Sequence, residues 1–189
     1  MANTASQETP GKLAAALAAG DHVRAMELLI DGHGEHIYQY CRRMLGNRPD
    51  GDDVAQTVFM QAFSGLASLH DVEAARGWLF TIARHRCLDR LRSARRGPSL
   101  MGSEDIEALA DAGAVAPTDE DPRVRRALDD CLDELDEQSR ALLVLRFHDE
   151  LSYDEISKLV AVTPGALRVR VSRALPALRD CMESKGVTP

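Results

Sequence analysis

Aromatic residues are scarce in this sequence, at 4% of 189 positions, and there is a single tryptophan. No apolar run approaches the roughly 20 residues that a membrane span needs, so no membrane contact of its own is expected. The first dozen residues are small and polar, without a basic stretch leading into an apolar one, and no secretory signal is expected there. No CxxC occurs. The four cysteines, Cys41, Cys87, Cys131 and Cys181, are each more than 40 residues from the next, which argues against a zinc ribbon or a disulfide scaffold. They are expected as reduced thiols in a cytoplasmic protein. No stretch alternates apolar and polar residues long enough to argue a sheet.

What is present suits a globular chain of one ordinary domain or two small ones, with 44% apolar and 28% charged residues. The net charge of −7 hides a segregation. From Arg76 to Arg96 there are seven arginines against Asp89 alone. From Gly97 to Pro122 there are seven acids and no base, and from Thr163 to Arg179 four arginines and no acid. Two basic patches separated by an acidic spacer fit a nucleic-acid binder, although solvated helix faces would give the same count.

Periodicity places the elements. Residues 1–11 have none and are expected as a disordered tail. Leu13 to Leu29 reads as helix, broken and restarted at Gly20-Asp21. A second stretch runs from His36 to Leu45 and ends at Gly46-Asn47-Arg48-Pro49. The next starts at Asp52-Asp53, where Asp53-x-x-Gln56 resembles a capping box. Two more helices are expected around Ala74 to Arg92, before Gly97-Pro98 stops the pattern. Residues 97–122 combine Gly, Pro and acids, a composition that buries too little apolar surface to fold, with room for a short helix over Ser103 to Leu109. The expected architecture is all-α: two small helical domains, over 12–96 and 123–182, joined by a flexible acidic linker over 97–122. The second domain is expected to be a helix-turn-helix.

Three local signals carry that last expectation. Ser152-x-x-Glu155 is a capping box opening a short helix with Ile156, Leu159 and Val160 inward. Ala161-Val162 makes a turn. Thr163-Pro164 then opens another helix, Thr as its N-cap and Pro at the first helical position. At 100° per residue, Leu167, Val171, Ala174, Leu175 and Leu178 fall on the inward side. Ala166, Val169, Ser172 and Arg173 face away, with Arg168 and Arg170 on the borders. A valine beside an arginine on the outer face fits a major groove, where apolar groups touch thymine methyls and Arg reads guanine. An ordinary helical hairpin is the alternative. Pro176 is expected to kink or end this helix.

In the N-terminal half, Val54, Ala55, Val58, Phe59 and Ala62 form one side of a helix. Asp53, Gln56, Met60 and Phe63 form the other, which is either a partner-binding patch or the second side of a buried helix. Arg76 to Arg92 is a basic helix with Trp78 near its start. Its arginines can follow phosphates and its aromatics can stack on unpaired bases, although a tryptophan in this setting is more often core.

The run Asp52-Asp53-Val54-Ala55-Gln56-Thr57-Val58-Phe59 and the run from Gly77-Trp78-Leu79 to Leu91-Arg92 resemble the first structured domain of bacterial extracytoplasmic-function (ECF) sigma factors. Leu151-Ser152-Tyr153-Asp154-Glu155-Ile156, through Gly165 to Ser172-Arg173-Ala174, resembles their C-terminal domain. The resemblance covers residues 13–95 and 123–180. It departs at Ala161, where the family often has glycine, and at Leu175-Pro176, where a basic pair is usual.

The resemblance implies roles. Asp53, Gln56, Phe59, Met60 and Phe63 would bind the clamp helices of the largest RNA polymerase subunit. Leu69, His70, Asp71, Trp78, Arg84 and His85 would engage the minus-ten promoter element. Thr163, Ala166, Arg168, Val169, Arg170, Ser172 and Arg173 would read the minus-thirty-five element. It also implies contact with the flap of the second-largest subunit and an anti-sigma factor.

Two rivals have weaker support. A response regulator needs parallel strands that the sequence does not show, and a helix-turn-helix regulator could act without joining the polymerase. His33, His36 and Cys41 have spacings that a metal could use, as do His85 and Cys87, but nothing completes a ligand set. No metal, cofactor or catalytic residue is expected.

Overall fold

The computed structural model describes residues 5–46, 50–95 and 121–187, and among them there are helices and turns but no strand. The N-terminal domain comprises α1 (Ala5–Ala18), α2 (His22–Leu45), α3 (Asp50–Gly65) and α4 (Ala75–Arg95), with 3-10 turns at Leu66–Ser68 and Val72–Ala74. The C-terminal domain comprises α5 (Pro122–Glu134), α6 (Glu137–Leu143), a π-helical turn at Val144–His148, α7 (Tyr153–Val160) and α8 (Pro164–Ser184).

Local chemistry sets most of the ends. Gly20, at positive φ, closes the first break, and the Asp21 carboxylate accepts from Arg24 N to start α2. Gly46, also at positive φ, ends it. Asp121 and Asp136 cap α5 and α6 in the same way as Asp21. The all-α expectation and the two helical domains stand.

Several boundaries differ from the sequence reading. Residues 5–11, expected in the tail, begin α1, and the two helices expected around Ala74 to Arg92 are the single α4. The separate stretch from His36 is part of one long α2, because Gly32 and Gly34 lie within it and Gly34 is buried beneath Ile30. Gly51 starts α3 early by packing against the Arg42 backbone, so Asp53 lies inside the helix and is no capping box. Pro176 does not end α8, which runs on to Ser184. Leu175, expected inward, is 36% exposed. The expected linker, apart from Asp121 and Pro122, and the helix over Ser103 to Leu109 lie outside the described residues.

The cysteines require a correction. Cys131 and Cys181 form a disulfide that ties α5 to the end of α8, whereas Cys41 and Cys87 are free, buried thiols. A hydrogen bond with the Cys41 thiol, and then burial, push Cys87 well above the usual thiol range, as expected for an inert core cysteine.

The two domains also pack together, their apolar residues forming one buried cluster. Arg140, buried on α6, donates to the carbonyls of Leu132 and, across the domain boundary, Met44, both at 2.8 Å. It also pairs with Asp133 at 2.6 Å. Arg76 donates to the carbonyl of Asp149. The fully buried Asp149 carboxylate also meets His36 of α2 at 3.4 Å and His148 at 3.2 Å. Arg76 and His36, together with burial, lower the pKa of His33, burial being the largest cause.

Candidate protein and nucleic-acid interfaces

α3 presents two unlike sides. Ala55, Val58 and Ala62 are buried in the domain core. Asp53, Gln56, Met60 and Phe63 are exposed, Met60 at 67% and Phe63 at 44%. A methionine and a phenylalanine left in water, one turn apart, make an uncovered apolar patch with a carboxylate and an amide beside it. The helix is thus not buried on both sides. Phe59 falls between the two sides, half-buried with its ring 5.7 Å from that of Tyr38.

The turn after α3 and the start of α4 bring together only part of the expected minus-ten set. His70, Asp71 and His85 are exposed. Leu69 is 8% exposed and packs into the core, so its side chain is an anchor and not a contact surface. Trp78 is half-buried against Gly65, whose position has no space for a side chain without crowding the indole. Arg84 is half-buried and lines a cavity of about 130 Å³ between the domains, together with Ile156, Leu167 and Arg170. Other arginines of this basic helix are turned to structure. Arg86 bonds Gln61, and Arg90 bonds Asp50 at 2.7 Å, so α4 is tied to α3. Arg42 of α2 grips Asp52 through two hydrogen bonds, which lower the Asp52 pKa.

The C-terminal pair of helices follows the sequence reading closely. The Ser152 hydroxyl accepts from Glu155 N at 3.2 Å, and the Glu155 carboxylate accepts from Ser152 N at 2.8 Å. The Ser152 hydroxyl also donates to the Glu155 carboxylate at 2.7 Å; this bond first, and then the one from Ser152 N, lower the Glu155 pKa. Ala161 turns the chain at φ 53°, a left-handed conformation that disfavours residues with a Cβ. Thr163 caps α8 by accepting from Ala166 N, and Pro164 takes the first helical position. Leu167, Val171 and Ala174 are buried. Ala166, Val169, Ser172 and Arg173 are exposed on the far side, Val169 at 48%.

Sequence reasoning missed three features of these surfaces. Arg170, placed on the border of the recognition face, bonds Gln138 of α6. Arg168 lies over the Tyr153 ring. A groove of about 280 Å³ between this domain and α2 is lined by Arg43 of α2 and by Leu128, Phe147 and Leu175, with Phe147 55% exposed. The only signal for the groove was apolar residues at helical spacing, which a core would give equally. No helix among the described residues is long and apolar enough to cross a membrane.

Comparison with known proteins supports the same division. The sigma-70 region 2 family model matches residues 29–97 and the sigma-70 region 4 model matches residues 125–178. The chain is 31% identical over 158 residues to the RNA polymerase sigma factor CarQ of Myxococcus xanthus, covering 84% of this chain and 89% of that one. It is 29% identical over 159 residues to the ECF RNA polymerase sigma factor SigW of Bacillus subtilis, covering 80% and 85%. Among solved structures it is similar to CnrH in complex with the cytosolic domain of CnrY, at TM-score 0.66 and 26% identity over 91% and 96% of the two chains. The sigma factor RpoE, in complex with the anti-sigma factor NepR from Bartonella quintana, shares the fold at TM-score 0.66, with 19% identity over 86% and 97%. Region 2 stands before region 4, each on its own helical unit, and the chain belongs to the ECF RNA polymerase sigma factors, polymerase-binding factors that confer promoter specificity.

Proposed function

We propose that the chain works through three surfaces. The outer side of α3, with Asp53, Gln56, Met60 and Phe63, binds the clamp helices of core RNA polymerase, and Phe59 supports it from the flank. The turn and helix bearing His70, Asp71, Trp78, Arg84 and His85 engage the minus-ten element. The outer side of α8 reads the minus-thirty-five element in the major groove. There Arg173 faces base edges with Ala166, Val169 and Ser172, while Thr163, Arg168 and Arg170 lie toward the sugar-phosphate walls. The chain acts in the cytoplasm and carries no catalytic group of its own; the chemistry of transcription belongs to the polymerase. The Phe147 groove suits the flap of the second-largest subunit. An anti-sigma partner is part of the reading because a similar fold, that of RpoE, has been solved with the anti-sigma factor NepR bound.

The observation that carries this reading is the pair Met60 and Phe63, exposed large apolar side chains that the chain's own fold leaves uncovered. Gln56→Ala with Met60→Ala is expected to weaken core-polymerase binding at least tenfold in a fluorescence titration, with helicity and melting close to wild type. Unfolding of the double variant, or unchanged affinity, would overturn it. A regulator that acts without joining the polymerase would leave this patch without a partner.

A further inference from the structure

An arginine on a helix surface keeps most of its rotamers in water and must lose them when it grips a phosphate. In this chain Arg168, at the border of the recognition face, is exposed but not unsupported. Its guanidinium carbon lies 5.1 Å from the centre of the Tyr153 ring, the first residue of α7. A second guanidinium, that of Arg146, lies 5.3 Å from the same ring centre and 5.8 Å from that of Phe147. Arg146 also donates to the Leu151 carbonyl at 3.4 Å, which ties it to the segment just before Tyr153. The Ser152–Glu155 capping box fixes the direction in which α7 starts, and so where the ring sits. A guanidinium lying on an aromatic face keeps its N–H edge available to an oxygen.

We infer that Tyr153 is a positioning residue for promoter binding: its ring, braced by Arg146, holds the Arg168 guanidinium at the groove border for a backbone phosphate. The inference rests on the role of Arg168 proposed above. Tyr153 itself need not touch DNA. Its effect is to remove beforehand part of the freedom that Arg168 would otherwise lose on binding.

The test uses holoenzyme assembled from the full chain and core polymerase. Its probe is a promoter fragment that the wild-type holoenzyme selects from a library with a randomised upstream element, with affinity followed through a salt titration. Arg168→Ala should lower the slope of log affinity against log salt by about one, the signature of one lost phosphate contact. Tyr153→Leu should weaken binding about two- to fivefold at every salt concentration, the usual size of an exposed cation–π contact. Its slope should stay unchanged, because Arg168 still neutralises its phosphate in the complex. Tyr153→Phe, which keeps the ring face, should bind like wild type. In the Arg168→Ala background, Tyr153→Leu should cost nothing further. An equal loss in both backgrounds would overturn the inference, since the ring would then act through helix packing and not through Arg168. Wild-type affinity for Tyr153→Leu would overturn it as well. An unchanged slope for Arg168→Ala would instead refute the phosphate role of Arg168, and the positioning role with it.

Discussion

The two domains reach order by different means. In the N-terminal domain, Leu29, Ile37, Tyr40, Met44, Val58, Leu66, Leu79 and Phe80 are fully buried, and Tyr40 meets Phe80 edge-on at 5.5 Å. In the C-terminal domain, Leu145, Leu151 and Ile156 are the large apolar side chains buried to that degree. The smaller unit cannot withdraw as much surface from water, and it relies on added ties. Those ties are the Cys131–Cys181 bond, the Ser152–Glu155 box, the Asp136 cap and Arg140. The contrast teaches where each domain is vulnerable: the first through its core volume, the second through single covalent and polar links.

The sharpest way to break the contrast is to open the disulfide. A cross-link spanning 50 residues stabilises by about 4 kcal/mol in the chain-entropy view. Cys131→Ser with Cys181→Ser, or reduction, should therefore lower the melting of the C-terminal domain well below that of the N-terminal one. The single tryptophan, Trp78, lies in the N-terminal domain and reports it alone. Far-ultraviolet dichroism should thus show an early transition that Trp78 fluorescence does not follow. Coincident transitions would mean that the domains unfold as one. In the cytoplasmic setting proposed above, which is reducing and seldom keeps such bonds, this measurement also tells how the domain stands without its staple.

Arg140→Ala should come next, at about 3 kcal/mol, because it leaves Asp133 and two carbonyls without a buried cation. Since one of those carbonyls belongs to Met44, this variant should shift the Trp78 transition in urea as well as the dichroism. A change confined to the C-terminal domain would show that the contact between the domains carries no stability.

The smallest effect is expected on acidification. Hydrogen bonds hold the pKa values of Asp136, Glu155 and Asp52 below their ordinary range, chiefly those with Ser139, Ser152 and Arg42 respectively. A carboxylate with a depressed pKa contributes stability that is fully present above its unfolded value, near 4, and is lost as the pH falls through the folded value. Two of the three lie in the C-terminal domain. Between pH 5 and 3 that domain should lose stability first, and Ser152→Ala should reduce the drop. Equal acid sensitivity of the two domains in stepwise melts would remove this part of the contrast.

Much of the site was legible because it depends on short-range rules. The outward set on α8 followed from stepping around a helix whose start Thr163-Pro164 marks. The patch on α3 was half legible: periodicity placed Met60 and Phe63 together, but only the packing of α2 and α4 showed that nothing covers them. Leu69 could not be recognised as buried, since it lies in a turn where periodicity says nothing. The basic count along α4 overstated its free surface, because Asp50 and Gln61 of α3 engage Arg90 and Arg86. Ala161, read as a departure from glycine, does hold the left-handed turn, with the strain that its Cβ brings.

By itself the sequence determined the helical class, most helix starts and stops, and the face of α8 turned outward. Each of these depends on bonds between residues three or four apart, which amino-acid types specify directly. The tertiary structure alone decided that Cys131 meets Cys181, that Arg140 reaches Met44 over a separation of 96 residues, and that Asp149 meets His36 over 113. It alone set Arg168 on Tyr153 and left Phe147 in solvent. Such pairings depend on the angles and offsets at which whole helices pack, and those are set by the sum of many weak contacts that no local pattern contains.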